Sequence, residues 1–180
     1  MENNQDLEML DVFTEDNEEK IGVASRGVVH KCNLWHREVA CWIINEKNEF
    51  LLQRRSASKK QNPNMLAVTT GHIDVEETPI EAVIRETAEE VGINDVKEND
   101  FIYLNTFKAE NLNNNHYKYV YLLKTNKKLE DLKMQESEVS ELLYVSLDKI
   151  KEMIASPNSE LTFARQFYTP IILNKIKELL

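Results

Sequence analysis

GHIDVEETPIEAVIRETAEEVGI, residues 71–93, decides the reading of the whole chain, because one loop and one helix there hold four glutamates, an arginine and two bracketing glycines. The helix is legible from its punctuation: Thr78 as N-cap, Pro79 at the first helical position, Glu81 at the capping-box position and Gly92 as a left-handed stop. Between these ends Ile80, Val83, Ile84, Thr87 and Val91 recur as one face, predicted to pack on a sheet, while Arg85, Glu86, Glu89 and Glu90 share the other. Glu86 stands three and four residues from Glu89 and Glu90, so the ionised carboxylates repel by ~0.2–0.5 kcal/mol per exposed pair. A divalent cation reverses that sign. Oxygen ligands of this kind suit Mg²⁺ or Mn²⁺, which keep several waters and recruit substrate phosphates. A solvated charged face is the usual explanation of a Glu-rich helix. The spacing excludes it here: G-x5-E-x7-R-E-x2-E-E-x-G, matched at Gly71, Glu77, Arg85, Glu86, Glu89, Glu90 and Gly92, arises by chance on the order of once in 10⁸–10⁹ starting points.

At these residues, with Ile93 following, the chain resembles the Nudix hydrolase family. It departs from the family pattern at Thr87, where an aliphatic residue is usual, and at Glu76, where many members carry glycine ahead of the loop glutamate. Neither change removes a ligand. The resemblance implies an α/β fold, an α/β/α sandwich with a mixed β-sheet, and metal-dependent hydrolysis of a diphosphate linkage in a nucleoside diphosphate joined to another moiety. It implies Mg²⁺ or Mn²⁺ on Glu86, Glu89, Glu90 and the Gly71 carbonyl, with Arg85 orienting Glu77 or Glu89 as part of the catalytic group.

Composition narrows the class further. The 180 residues suit one domain able to bury its own core. A net charge of −9, from 22 basic and 31 acidic residues, argues against a nucleic-acid or anionic-membrane binder, either of which needs a basic face. Cys32 and Cys41 are too few for a zinc site or a disulfide framework. The start, MENNQDLEML, has no basic-then-apolar leader, and no stretch reaches membrane-spanning length, so a cytoplasmic protein is predicted.

Residues 1–4 form a polar chain end. Leu7–Thr14 and Lys20–Ser25 alternate about a turn and read as an N-terminal hairpin, so residues 1–33 form an extension ahead of a catalytic domain at 34–180. That hairpin is a candidate homodimer surface. Arg26–Arg37 reads as a loop carrying His30 and His36. Glu38–Ile44 and Phe50–Arg54 make a second hairpin, whose exit carries four positive charges in seven residues, Arg54 to Lys60, suited to phosphates. Leu66–Thr70 leads as a strand into Gly71. Phe101–Lys108, Tyr117–Lys124 and Leu142–Ser146 are further strands. Ser146 caps a helix to Ala155, and Glu160–Leu180 is helical on either side of Pro170. Trp35, Trp42 and Phe107 are assigned to packing.

From His36 to Ile93 the chain is similar to the isopentenyl-diphosphate isomerase branch of the family. By that resemblance His36 and His72 align with metal-binding histidines, and Arg55 and Lys59 with residues that contact the diphosphate; we place Arg55, Lys59 and His72 on the substrate. The isomerase chemistry needs a cysteine where Thr70 stands and a glutamate on a later strand, where Asn115-His116-Tyr117 stands. The acid–base pair is missing, which leaves hydrolysis of a small, nucleotide-derived phosphorylated substrate. The general base is either a signature glutamate or one from Gln135–Glu141, where Glu138 is the candidate. An isomerase, or a non-catalytic nucleotide-binding module, is the alternative.

Overall fold

The computed structural model describes residues 4–111 and 113–180; residues 1–3 of the chain end and Leu112 of the loop 109–115 lie outside them. In chain order the described residues form β1 (Met9–Phe13), β2 (Lys20–Ser25), α1 (Arg26–Lys31), β3 (His36–Ile44), β4 (Phe50–Arg55), β5 (Leu66–Ala67), β6 (Thr69–His72) and α2 (Pro79–Val91). Then follow β7 (Phe101–Ala109), β8 (His116–Lys124), β9 (Val139–Val145), α3 (Leu147–Ala155) and α4 (Thr169–Glu178).

Strand β3 is the centre because its sequence is apolar on both faces. Its odd residues Val39, Cys41 and Ile43 pack with Ala82, Val83 and Val91 of α2. Its even residues Ala40, Trp42 and Ile44 pack with Ile150 of α3 and Ile172, Leu173 and Ile176 of α4. Alternation on a two-residue period thus builds an α/β/α sandwich around one strand. Full burial of a side chain such as Trp42 or Ile43 contributes roughly 1.5–3 kcal/mol. The sheet is mixed: β3 runs parallel to β8 from His36↔His116 to Ile44↔Lys124, and β7 returns antiparallel to β8.

The second hairpin splays. β3 and β4 share the single register pair Ile44↔Phe50, after which β6 takes the edge of β3 while β5 and β9 pair with β4. The strand predicted over Leu66–Thr70 is accordingly broken at Val68, pairing with β4 before the break and with β3 after it. Into the gap between β4 and β6 comes the carboxylate of Glu90.

Helix α2 has the expected ends. The Thr78 hydroxyl accepts from the Glu81 amide, the Glu81 carboxylate accepts from the Thr78 amide at 2.9 Å, and Gly92 stops the helix at φ 75°. A Cβ on Gly92 would also stand 2.8 Å from the backbone nitrogen of Lys133, so glycine is required there twice over.

Two expected segments differ. Arg26–Arg37 is not a loop throughout: Arg26–Lys31 is a short helix whose Val29 is buried against Leu10 and Val12, a tertiary contact that Gly27 and two valines gave no local reason to expect. Residues 160–168 are not helical, Leu161 bridging to Leu66 ahead of a run of turns, and Pro170 lies in the first turn of α4, where its missing N–H is harmless. The hairpin β1–β2 props the loop before α2: Leu10 bridges to Asp74, and Asp11 accepts from the amide of Glu76 at 3.3 Å. Glu76 has φ 64°, so the loop keeps the left-handed turn even though glycine is absent. Among the described residues no helix is long and apolar enough to cross a membrane.

Candidate active site

Arg85 organises the carboxylates. Its Nε and Nη2 donate to the two oxygens of Glu77, each at 2.9 Å, Nη1 donates to Glu86 at 2.7 Å, and Nη2 donates to the His72 carbonyl at 3.0 Å. Glu89 lies 3.5 Å from Nη1 and is the more exposed of the signature glutamates. Arg85 therefore acts by positioning Glu77 and Glu86, fixing the loop on the helix.

Glu90 is buried, at 5% exposure, although the periodicity had placed it on the polar side. It stands seven residues after Val83, two full turns along the same face, and accepts hydrogen bonds from Gln53 Nε2 at 2.9 Å and the Thr70 amide at 3.1 Å. Gly71 lies so close to Glu86 that a Cβ on it would fall 1.9 Å from Oε1.

These groups open onto a cavity of about 330 Å³. Glu86, Glu89, Glu90 and Gly71 line it together with Arg55 and Lys59 and with Trp42, Phe163 and Tyr168. Arg55 donates to the Gln61 carbonyl, and Lys59 is ion-paired with Glu138. His72 lines the cavity too, but its Nε2 faces His30 Nε2 at 3.3 Å.

Among the described residues the three side chains whose ligand atoms converge, all within 4.8 Å, are His30, His36 and His72. Glu86 and Glu89 pair with Arg85, and Glu90 with Gln53 and the Thr70 amide. The histidine group fits a divalent cation. His36 Nδ1 lies 3.2 Å from the Leu34 carbonyl and so carries the proton, leaving Nε2 as a lone pair, buried and without a hydrogen-bond partner. Burial pushes His30 and His72 below their ordinary value, and neutral imidazole is the ligating form. Both carboxylate and histidine groups suit a metal by their donor chemistry, the first a hard ion and the second a softer one.

The sequence reading passed over Glu38 and Lys118 and left His116, standing where the isomerases carry a glutamate, without a role. They stand at alternate positions of β3 and β8 on the cavity face, and the period-two pattern His36-x-Glu38 beside His116-x-Lys118 was their only signal. Parallel pairing between strands 80 residues apart is what joins the two halves, and no local pattern encodes it.

A family model described as NUDIX domain matches residues 34–165. The chain belongs to the Nudix hydrolase family. It is 34% identical over 155 residues to an uncharacterised Nudix hydrolase of Clostridium acetobutylicum, covering 82% of this chain and 74% of that one. It is 32% identical over 84 residues to an isopentenyl-diphosphate Δ-isomerase of Salmonella paratyphi B, covering 46% of each, so that the match spans about half of either protein. The crystal structure of DR0079 from Deinococcus radiodurans superposes with a TM-score of 0.69 over 84% of this chain and 91% of that one, at 24% identity, which supports the sandwich fold. This Nudix protein is an enzyme of the pyrophosphohydrolase kind.

The buried carboxylates make a pH prediction for this Nudix protein. Burial raises Glu86 to about 7 and Glu90 to about 8, with Arg85 opposing the first shift and Gln53 and Thr70 the second. A carboxyl raised on folding holds more protons folded than unfolded between its two pKa values, so it subtracts stability as pH climbs through that window. His30, His72 and His116 are lowered by burial from 6.5, so their contribution is complete above that pH. The Tm of chelator-treated protein is therefore expected to fall between pH 6.5 and 8, and added Mg²⁺ or Mn²⁺ to cancel the fall. A Tm that stays level across this window without metal would rule out protonated, buried signature glutamates.

Proposed function

We propose that the protein hydrolyses a diphosphate linkage in a nucleoside diphosphate joined to a second moiety, water attacking phosphorus, with Mg²⁺ or Mn²⁺ on Glu86, Glu89, Glu90 and the Gly71 carbonyl. The observation that carries this reading is one cavity lined at once by those residues and by the cations Arg55 and Lys59. When bound, the metal supplies Lewis acidity to phosphate oxygens and lowers the pKa of a water. Arg85 holds Glu86 in place, and Gln53 and Thr70 hold Glu90. Arg55 and Lys59 take the non-reacting phosphate. Glu138, ion-paired with Lys59 in the same cavity, is the carboxylate placed to accept a proton from the attacking water. Trp42, Phe163 and Tyr168, which line the same cavity, offer aromatic surface to the organic half. Two free thiols, Cys32 exposed and Cys41 buried, support a reducing, cytoplasmic setting.

The histidine group favours a second reading, rearrangement of a short prenyl diphosphate, while Thr70 in the cysteine position weighs against it. The two separate in one assay: phosphate and nucleotide release with Mg²⁺ or Mn²⁺ from nucleoside di- and triphosphates, nucleotide sugars, dinucleoside polyphosphates, coenzyme A and isopentenyl diphosphate, beside a Glu89→Gln control. Metal-dependent release that the control loses is the expected result. Rearrangement of isopentenyl diphosphate without phosphate release would replace the hydrolase by an isomerase, and binding without turnover would make the protein a sensor.

A further inference from the structure

Glu38 is the third residue of β3, with His72 opposite it on β6 and Lys118 opposite it on β8. Its Oε1 is 3.5 Å from His36 Nε2 and 3.8 Å from His72 Nε2, and it accepts from Asn114 Nδ2 at 3.1 Å. Its Oε2 is 2.7 Å from Lys118 Nζ and 3.7 Å from His116 Nε2. The carboxylate thus stands between His36 and His72 at one oxygen and the Lys118 ammonium with His116 at the other.

We propose that Glu38 is the carboxylate ligand that completes the His30, His36 and His72 group, and that Lys118 is the internal cation holding this carboxylate until a metal enters. Metal entry transfers Glu38 from Lys118 to the ion and leaves the Lys118 ammonium facing the cavity, where a substrate phosphate takes it. This inference rests on the reading that the histidine group holds a divalent cation.

Three observations support the exchange. Three neutral imidazoles bring no negative charge, and a divalent ion at a largely buried site needs an anionic partner. The spacings fit ligands around an ion: four ligands at ~2.1 Å in a tetrahedral set lie about 3.4 Å apart. Here His30 and His72 are 3.3 Å apart, with Glu38 at 3.5 Å from His36 and 3.8 Å from His72. Lys118, with its side chain 11% exposed, has Glu38 as its carboxylate partner among the described residues, so losing it creates a buried cation that an anion in the cavity must satisfy. Metal and phosphate binding are then coupled, and by linkage the coupling is reciprocal.

The test is titration of the full chain with Co²⁺, following visible absorption, with His72→Ala defining the signal that belongs to the histidine group. Glu38→Gln is expected to weaken Co²⁺ binding by about 10–100-fold. Lys118→Met is expected to tighten it about tenfold, because entry no longer breaks a charge-assisted hydrogen bond, and this gain is expected to vanish in the Glu38→Gln background. The double variant carries no unpaired buried charge and serves if Lys118→Met folds poorly; Lys118→Arg keeps the competing cation and is expected to bind Co²⁺ no more tightly than the parent. Methylene diphosphonate should bind more tightly with Co²⁺ present in the parent and lose that gain in Lys118→Met. Unchanged or weaker Co²⁺ binding in Lys118→Met, or a parent signal that His72→Ala leaves intact, would overturn the proposal. Hydrolysis lost in Glu89→Gln is read separately, so it stands or falls apart from this exchange.

Discussion

Turnover of Glu90→Gln is expected to fall on the order of 10²–10³-fold, the several kcal/mol that a metal's charge stabilisation supplies, while the fold is retained or gains stability. The two effects have one origin. Glu90 is nine-tenths or more buried and its carboxylate is pushed toward the neutral form by burial and by the charge of Glu86, so in metal-free protein it is an unfavourable ion. An amide removes that charge and keeps an oxygen able to accept from Gln53 and Thr70. What an amide lacks is the negative charge that a divalent cation needs. A Tm measured without metal should therefore hold or rise in the variant, while the Tm gain on adding Mg²⁺ or Mn²⁺ should shrink. Full turnover in the variant would remove Glu90 from the metal site, and a large fall in metal-free Tm would mean that its charge is structural.

How much of this was legible depends on whether the information is local. The ends of α2 were, since Thr78, Glu81, Pro79 and Gly92 act within a turn of themselves. So were the strands β7 to β9, within two or three residues at their ends, and the family, because seven fixed residues lie in one stretch. The environment of Glu90 was legible in principle: counting seven from Val83 puts it over the buried face, but its charge type argued for the solvent side and prevailed. Two features were not legible. The change of partner at Val68 follows from the splay of β3 and β4, and the meeting of Glu38 with Lys118 follows from a parallel register between distant strands. Both are tertiary facts that override local preference. His30 shows the same thing at smaller scale. The burial of Val29 against the hairpin holds residues 26–31 as a helix and carries His30 to within 3.3 Å of His72.

Gly71→Ala is expected to reduce turnover on the order of 10²–10³-fold with little change in metal-free Tm, although it adds one methyl group and removes no functional side chain. The reason is where that methyl must go. An added Cβ would stand 1.9 Å from Glu86 Oε1, 2.0 Å from Cδ and 2.6 Å from Cγ, so the carboxylate has to leave its place. The atoms in the way belong to a flexible side chain rather than to backbone, and Gly71 needs no left-handed φ, so the strand itself accepts alanine. Relief is available by rotating Glu86 off Arg85 Nη1, which also relaxes its repulsion with Glu90. Folding therefore survives and the ligand set does not. The pairing with Glu86 makes the argument testable by a cycle: if glycine is needed only to make room for that carboxylate, Gly71→Ala should cost much less in a Glu86→Gln background than in the parent. Additive losses would instead assign Gly71 a separate role through its backbone, such as the carbonyl ligand, and undiminished turnover in Gly71→Ala would show that Glu86 does not need its present position to act.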